Sequence, residues 1–159
     1  VREILEILEQ NARATPAQIP TTVNKPANEV KKIIKQAEKD EAILKYEAIV
    51  NWPKLEKEDI WDLIEVRVRP QRGGGFDAIA ERIYQFPEVY SVYLVSGTYD
   101  LSILVRGRIR GQLPVLGRET APLEQVQSSI THFLLRRHKE YGETLHLPKE
   151  TNRPPPITP

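Results

Sequence analysis

The sequence predicts an α+β protein of two units, a small helical one followed by one with a β-α-β-β-α-β rhythm. Three observations predict it. Apolar residues recur at helical spacing up to about residue 40, then alternate with polar ones in short runs after residue 60. The charged stretch Asn51-Trp-Pro-Lys-Leu-Glu-Lys-Glu-Asp-Ile60 separates the two rhythms. A length of 159 residues leaves room for one compact domain or two small ones. The expected division is a first unit over 1–50, a linker over 51–60, a second unit over 61–147 and a tail over 148–159. That tail holds five of the 13 prolines and cannot build a packed element.

In the first unit, Ile4, Leu5, Ile7 and Leu8 form the apolar side of a helix ending near Ala12. Thr15-Pro-Ala-Gln18 has the spacing of a capped helix start, with Pro16 in the first helical position and Gln18 three residues past the cap. The helix it opens is short, because Pro20 follows. A second start at Asn24 to Pro26 opens the longest helix of this half, with Val30, Ile33, Ile34 and Ala37 on one face. Ala42-Ile-Leu44 and Tyr46-Glu-Ala-Ile-Val50 are β-capable runs expected to pair as a two-stranded wing.

On a helical wheel Asn28, Lys31, Lys32, Lys35 and Lys39 fall together, opposite the apolar stripe. Such a helix fits a DNA major groove, with lysines meeting phosphates and Asn28 reaching a base edge. A lysine-rich outer face is also ordinary solvated surface; the order of elements around it favours the nucleic-acid reading. Bulk charge adds nothing, since the formal net charge is +1. Nucleic acid is therefore not coated by overall charge, and any binding needs a local basic face.

In the second unit Ile60, Ile64, Val66 and Val68 are read as alternating with Asp62, Glu65, Arg67 and Arg69, and Pro70 closes this first strand. Gly73-Gly-Gly75 is a turn. Phe76, Ile79, Ala80, Ile83 and Phe86 recur at helical spacing up to Pro87. Val89 to Ser96 reads as the second strand, Gly97-Thr98 as a hairpin turn, Tyr99 to Val105 as the third strand and Val126 to Leu135 as the fourth. The rhythm asks for a helix within 107–122, which Gly107, Gly111, Pro114, Gly117 and Pro122 interrupt; a short or broken helix centred on Pro114 to Glu119 is expected. With both helices on one sheet face, the other face needs a partner, and a homo-oligomer through it is the expectation.

Several chemistries are excluded. There is no cysteine, hence no disulfide, thiolate nucleophile or Cys-based metal site. His132, His138 and His146 are the three imidazoles; they show neither HExxH spacing nor an i, i+4 pair. Gly73-Gly-Gly75 does not match a phosphate-binding loop, and Asp77 with Glu81 is an ordinary surface pair. No catalytic constellation and no metal site is read. No apolar run is long enough to span a membrane, no secretory signal pattern is present, and a cytoplasmic location is expected. The polar residues that stand out are Ser96, Gly97, Thr98, Tyr99 and Asp100. As a plain tight turn they need no ligand; at a subunit junction they would suit a zwitterion, with Asp100 facing its ammonium and free N–H groups its carboxylate.

The chain resembles the Lrp/AsnC family of leucine- and asparagine-responsive transcriptional regulators. The resemblance is carried by Ala42-Ile-Leu-Lys-Tyr-Glu-Ala-Ile-Val50, Phe76-Asp-Ala-Ile-Ala80, Phe86-Pro-Glu-Val-Tyr-Ser-Val-Tyr-Leu-Val-Ser-Gly-Thr-Tyr-Asp-Leu101 and Val126-Gln-Ser-Ser-Ile-Thr-His-Phe133. Gly97, Tyr99 and Asp100 match the family's Gly-x-Tyr-Asp signature. The resemblance implies an N-terminal winged helix-turn-helix and a C-terminal ferredoxin-like effector domain. It places a recognition helix on Ala27 to Asp40, with groove contacts near Lys25, Asn28 and Glu29. It puts an amino-acid effector near Ser96 to Asp100, double-stranded DNA as partner, and a homodimer assembling into an octamer or other array. The chain departs from the pattern at Glu41 and Lys45, where relatives usually have glycine. It also departs at Ile19-Pro20 in place of Leu-Ala, at Pro114 and Gly117, and at Gln125-Val126 in place of Gly-Val.

The function implied is a sequence-specific DNA-binding regulator, not an enzyme, with no cofactor. Two alternatives predict different observations. A ligand-sensing or scaffolding oligomer with a degenerate helix-turn-helix would not bind DNA, and a sirohaem decarboxylase-like enzyme would copurify with pigment.

Overall fold

The computed structural model describes residues 1–19, 23–55, 59–69, 73–107 and 125–145. The chain divides into two compact units, Val1–Val50 and Asn51–Pro159. The expected broken helix at Pro114 to Glu119 and the tail over 148–159 lie outside the described residues.

In the first unit, α1 (Arg2–Gln10) and α2 (Ala27–Lys39) close over a core of Ile4, Leu8, Ile19 and Val30. Ile7, Ala14, Val23, Ile33, Ile34 and Ile43 pack around it. Between the helices, the capping bonds expected at Thr15 form, but residues 16–18 make a turn rather than the expected short helix. The N–H groups of Gln18 and Ile19 both donate to the Thr15 carbonyl, at 2.9 and 3.2 Å. The Thr15 N–H in turn donates to Gln18 Oε1 at 2.9 Å, the reach-back half of a capping box.

Helix α2 ends in a left-handed cap. The Ala42 N–H donates to the Ala37 carbonyl at 2.9 Å and the Glu41 N–H to the Glu38 carbonyl at 3.3 Å, the two bonds of a Schellman motif. The residue that must turn left-handed is Glu41, with φ at 56°. A side chain there costs about 1–2 kcal/mol against glycine, offset in part by the greater freedom glycine gives the unfolded chain. Glu41→Gly is therefore expected to stabilise the first unit by about 0.5–1 kcal/mol, seen as a rise of a few degrees in its melting temperature. An unchanged or lower midpoint would show that Glu41 earns its place through another contact.

The expected wing does not form. Residues 42–50 carry no strand pairing. Lys45 alone separates the two runs, too little chain for the two-residue turn that a tight hairpin uses. A two-stranded ribbon that buries little is also marginal by itself, and Leu44, Tyr46, Ile49 and Val50 are exposed. The segment is held instead by its side chains: the Tyr46 hydroxyl donates to Glu38 Oε1 at 2.9 Å on α2. Desolvation of this phenol raises its pKa above the ordinary value, and the hydrogen bond to Glu38 and its charge add to the rise.

The second unit is a four-stranded antiparallel sheet in the order β2-β3-β1-β4. Its strands are β1 (Ile60–Val68), β2 (Val89–Leu94), β3 (Leu101–Gly107) and β4 (Val126–Phe133). Helix α3 (Gly75–Ile83) lays Ile79 and Ile83 on Ile64, Val66, Val68, Leu101, Ile103 and Val105, the main core. The linker contains a 3₁₀ turn, Trp52–Leu55. Strand β4 ends at Phe133 rather than Leu135, and two further features of this unit differ from expectation. Strands β2 and β3 stop short of the hairpin by about two residues each. A small extra hairpin, β5 (Lys139–Glu140) with β6 (Glu143–Thr144), turns through Tyr141 and Gly142, both with positive φ. The preceding segment is anchored at Trp61, whose carbonyl accepts the Leu134 N–H at 3.0 Å and whose ring lies 4.7 Å from the Arg137 guanidinium.

Candidate nucleic-acid interface and effector site

Helix α2 buries Val30 and Ala37, and that fixes what its other side presents. Asn28, Lys31, Lys32, Lys35 and Lys39 are all exposed on the outer side, as the helical spacing predicts. The acidic residues of the same stretch have local partners. Glu29 pairs with Lys25, Glu38 accepts from Tyr46, and Asp40 accepts from Gln36 at 2.7 Å. Among the described residues, none of the four stripe lysines has a carboxylate partner. The first unit is thus nearly neutral in sum, yet one helix face carries uncompensated positive charge.

Lys25 and Glu29 stand apart from that stripe. Both are half-buried and bonded to each other across one helical turn. The structure therefore groups five of the seven residues expected at DNA into one surface, with the Lys25–Glu29 pair at the N-terminal end of the helix.

The hairpin between β2 and β3 is closed by the Val95 N–H donating to the Asp100 carbonyl at 2.9 Å. Gly97 sits at φ 126°, a conformation that side chains rarely adopt, and Ser96, Gly97 and Thr98 are exposed. Tyr99 and Asp100 are half-buried. Asp100 does structural work: its N–H donates to the Val66 carbonyl at 3.0 Å, and its Oδ2 accepts from the Val68 N–H at 2.9 Å. The side chain replaces a ladder bond where the β1–β3 pairing ends at Val66 and Leu101. This bears on why β3 begins only at Leu101, and it commits one oxygen of the carboxylate expected to face an ammonium.

Sequence reasoning missed what lies next to this hairpin. The Arg69 N–H donates to the Gln125 carbonyl at 2.7 Å. With its amide oxygen turned toward Arg69, Gln127 accepts from Nε at 3.0 Å and from Nη2 at 3.1 Å. A register shift opposite Arg67 and Val68 makes Gln127 the extra residue on β4, and no local pattern announces it.

On the sheet face away from α3, the pairing sets Tyr93, Ser102, Leu104, Leu63, Glu65, Ile130 and His132 side by side. Tyr93 and Ile130 are 56% and 40% exposed. His132 Nε2 lies 3.0 Å from Glu65 Oε2. Among the described residues no group of three His, Asp or Glu side chains is arranged to hold a metal, and no helix is long and apolar enough to cross a membrane.

The family model of the Lrp/AsnC ligand binding domain matches residues 63–144, from the first strand of the sheet through β6. The chain belongs to the Lrp/AsnC family. An uncharacterised HTH-type transcriptional regulator of Bacillus subtilis, YugG, is 42% identical over 153 residues, covering 95% of this chain and 92% of the relative. The fold is shared with the leucine response regulatory protein LrpA of Mycobacterium tuberculosis. That structure has a TM-score of 0.71 at 20% identity and covers 92% of this chain and 97% of that one. A transcriptional regulator from Neisseria meningitidis, solved with L-methionine, has a TM-score of 0.64 at 22% identity and covers 92% of each chain. Gly97, Tyr99 and Asp100 lie within the matched residues. In this member the aspartate closes the end of the β1–β3 ladder.

Proposed function

We propose that this Lrp/AsnC protein is a sequence-specific DNA-binding transcriptional regulator, at least dimeric, tuned by an amino acid. The observation that carries the reading is the α2 stripe of Lys31, Lys32, Lys35 and Lys39, fixed outward by the buried Val30 and Ala37 and not neutralised by neighbouring acids. Two such helices in a dimer read the two halves of a pseudo-palindromic site in double-stranded DNA. The lysines bind phosphates, and Asn28, near the helix start, reaches a base edge.

In this reading residues 1–50 read DNA, 51–60 link, and 61–147 sense the effector and oligomerise. Tyr93, Leu104, Leu63 and Ile130 form an apolar strip that a second copy would cover, and dimers assemble further into an octamer or other array. The effector binds at Ser96 to Asp100, where it alters how dimers meet and so couples occupancy to DNA affinity. Amino acids are the class to screen because a structural relative holds L-methionine. The regulator acts in the cytoplasm; no reaction and no cofactor is assigned to it.

The test is fluorescence anisotropy with DNA from upstream of its own gene and with scrambled DNA, across a salt series. Affinity is expected to fall steeply with salt while the ratio between the two DNAs persists. Micromolar protein that binds neither DNA at low salt, with or without amino acids, would overturn the DNA reading and leave a ligand-sensing oligomer.

A further inference from the structure

We infer that Arg69, steadied by Gln127, receives the α-carboxylate of the effector, while the side-chain oxygen of Gln125 receives its α-ammonium. The inference rests on the proposed amino-acid site and supplies it with a charge-reading end. Three observations carry it.

The first is the state of Arg69. Its side chain is exposed, and its Nε and Nη2 are held by a neutral amide rather than by an acid. Gln127 fixes the guanidinium plane without cancelling its charge, and the outer Nη1/Nη2 edge keeps the fork geometry that suits a carboxylate. Among the described residues no carboxylate pairs with Arg69. Two other arginines of this unit are matched, Arg106 to Asp59 and Arg137 to Glu140, and both guanidinium groups lie against the Trp61 ring.

The second is position. Val68 gives its N–H to Asp100 Oδ2, and the next residue, Arg69, gives its N–H to the Gln125 carbonyl. The base of the Ser96 to Asp100 hairpin and the Arg69–Gln125 contact are therefore consecutive along one strand. A molecule resting against the hairpin lies at the same sheet end as the arginine.

The third is Gln125 itself. Its Oε1 is buried and has no hydrogen-bond partner among the described residues. A buried acceptor in that state is costly until a donor reaches it. An exposed, charged fork and an orphan acceptor on neighbouring backbone are complementary to the two ends of a zwitterion. The Gln125 oxygen takes the ammonium-binding role that Asp100, half committed to Val68, was expected to fill.

The full-length chain is titrated calorimetrically with each protein amino acid and with the α-carboxamide of any that binds. The wild type is expected to bind at least one amino acid and to lose about 10- to 100-fold in affinity when the carboxylate becomes a carboxamide. Arg69→Gln should lose a similar factor for the acid and no longer distinguish acid from amide. Arg69→Lys, which keeps charge without the fork, should fall between. If Arg69→Gln keeps wild-type affinity and discrimination, this inference is overturned and the effector reading stands. If Arg69→Gln does not fold, equal wild-type binding of acid and carboxamide overturns it instead. Absence of binding by any amino acid at millimolar concentration removes the effector reading, and the inference with it.

Discussion

Replacing Lys31, Lys32, Lys35 and Lys39 together by Gln is expected to cut DNA affinity by about 10³-fold at 0.1 M salt and to flatten its salt dependence. Each lysine that meets a phosphate releases counterions, and the slope of log affinity against log salt changes by about 0.9 per contact. Four lost contacts in each of two subunits lower the slope by at most about 7.2, and with about half of the lysines on phosphate the loss at 0.1 M salt is about 10³-fold. The loss should be nearly the same for specific and scrambled DNA, because phosphates carry no sequence information. Asn28→Ala should behave in the opposite way. It leaves the slope unchanged and costs about 1–3 kcal/mol on the preferred site, with relaxed discrimination at one base position. Both variants should melt as the wild type does, since all five side chains are exposed and none is bonded among the described residues. A quadruple variant that keeps the wild-type slope would place the DNA elsewhere on the protein.

That surface was readable from sequence for a geometric reason. Once Val30, Ile33, Ile34 and Ala37 are assigned inward, the 3.6-residue period leaves no freedom in where Lys31, Lys32, Lys35 and Lys39 point. The sheet was readable likewise, because alternation along β1 and β3 fixes both faces. Lys25 was not, since it precedes the helix and its pairing with Glu29 depends on how the chain enters α2. The wing failed because β-propensity at 42–50 says only that a strand would be tolerated, not that a partner is present. The Tyr141-Gly142 turn was missed for lack of the usual Asn-Gly or Asp-Gly signal. Arg69 and Gln127 lie far apart in the chain and meet through a bulge, so their pairing is a property of register rather than of local sequence. Asp100 was recognised by type and place, whereas its bond to Val68, by which it also holds the backbone, follows from strand pairing and not from the motif.

Ile4→Ala is expected to unfold the first unit while leaving the sheet unit intact. Ile4 is 1% exposed and is one of four buried residues in this core, with Leu8, Ile19 and Val30. Truncating a buried isoleucine to alanine costs about 2–5 kcal/mol, the lost transfer energy plus the cavity left behind. A unit of this size commands only about 3–7 kcal/mol in total at typical stability per residue, so the substitution consumes most of it. The two helices make the effect severe: α1 and α2 meet through these side chains, and α1 is too short to persist without them. The sheet unit has its own core around Ile103 and Val105, a cluster distinct from the one that holds Ile4. Thermal unfolding should therefore separate into an early transition, which takes DNA binding with it, and a late one at the wild-type position. Amino-acid binding measured between the two transitions should survive, because the effector hairpin and Arg69 belong to the sheet unit. A single transition that moves as a whole would mean the two units unfold as one. Full DNA affinity in Ile4→Ala at 25 °C would mean that this small core is not what holds the reading helix in place.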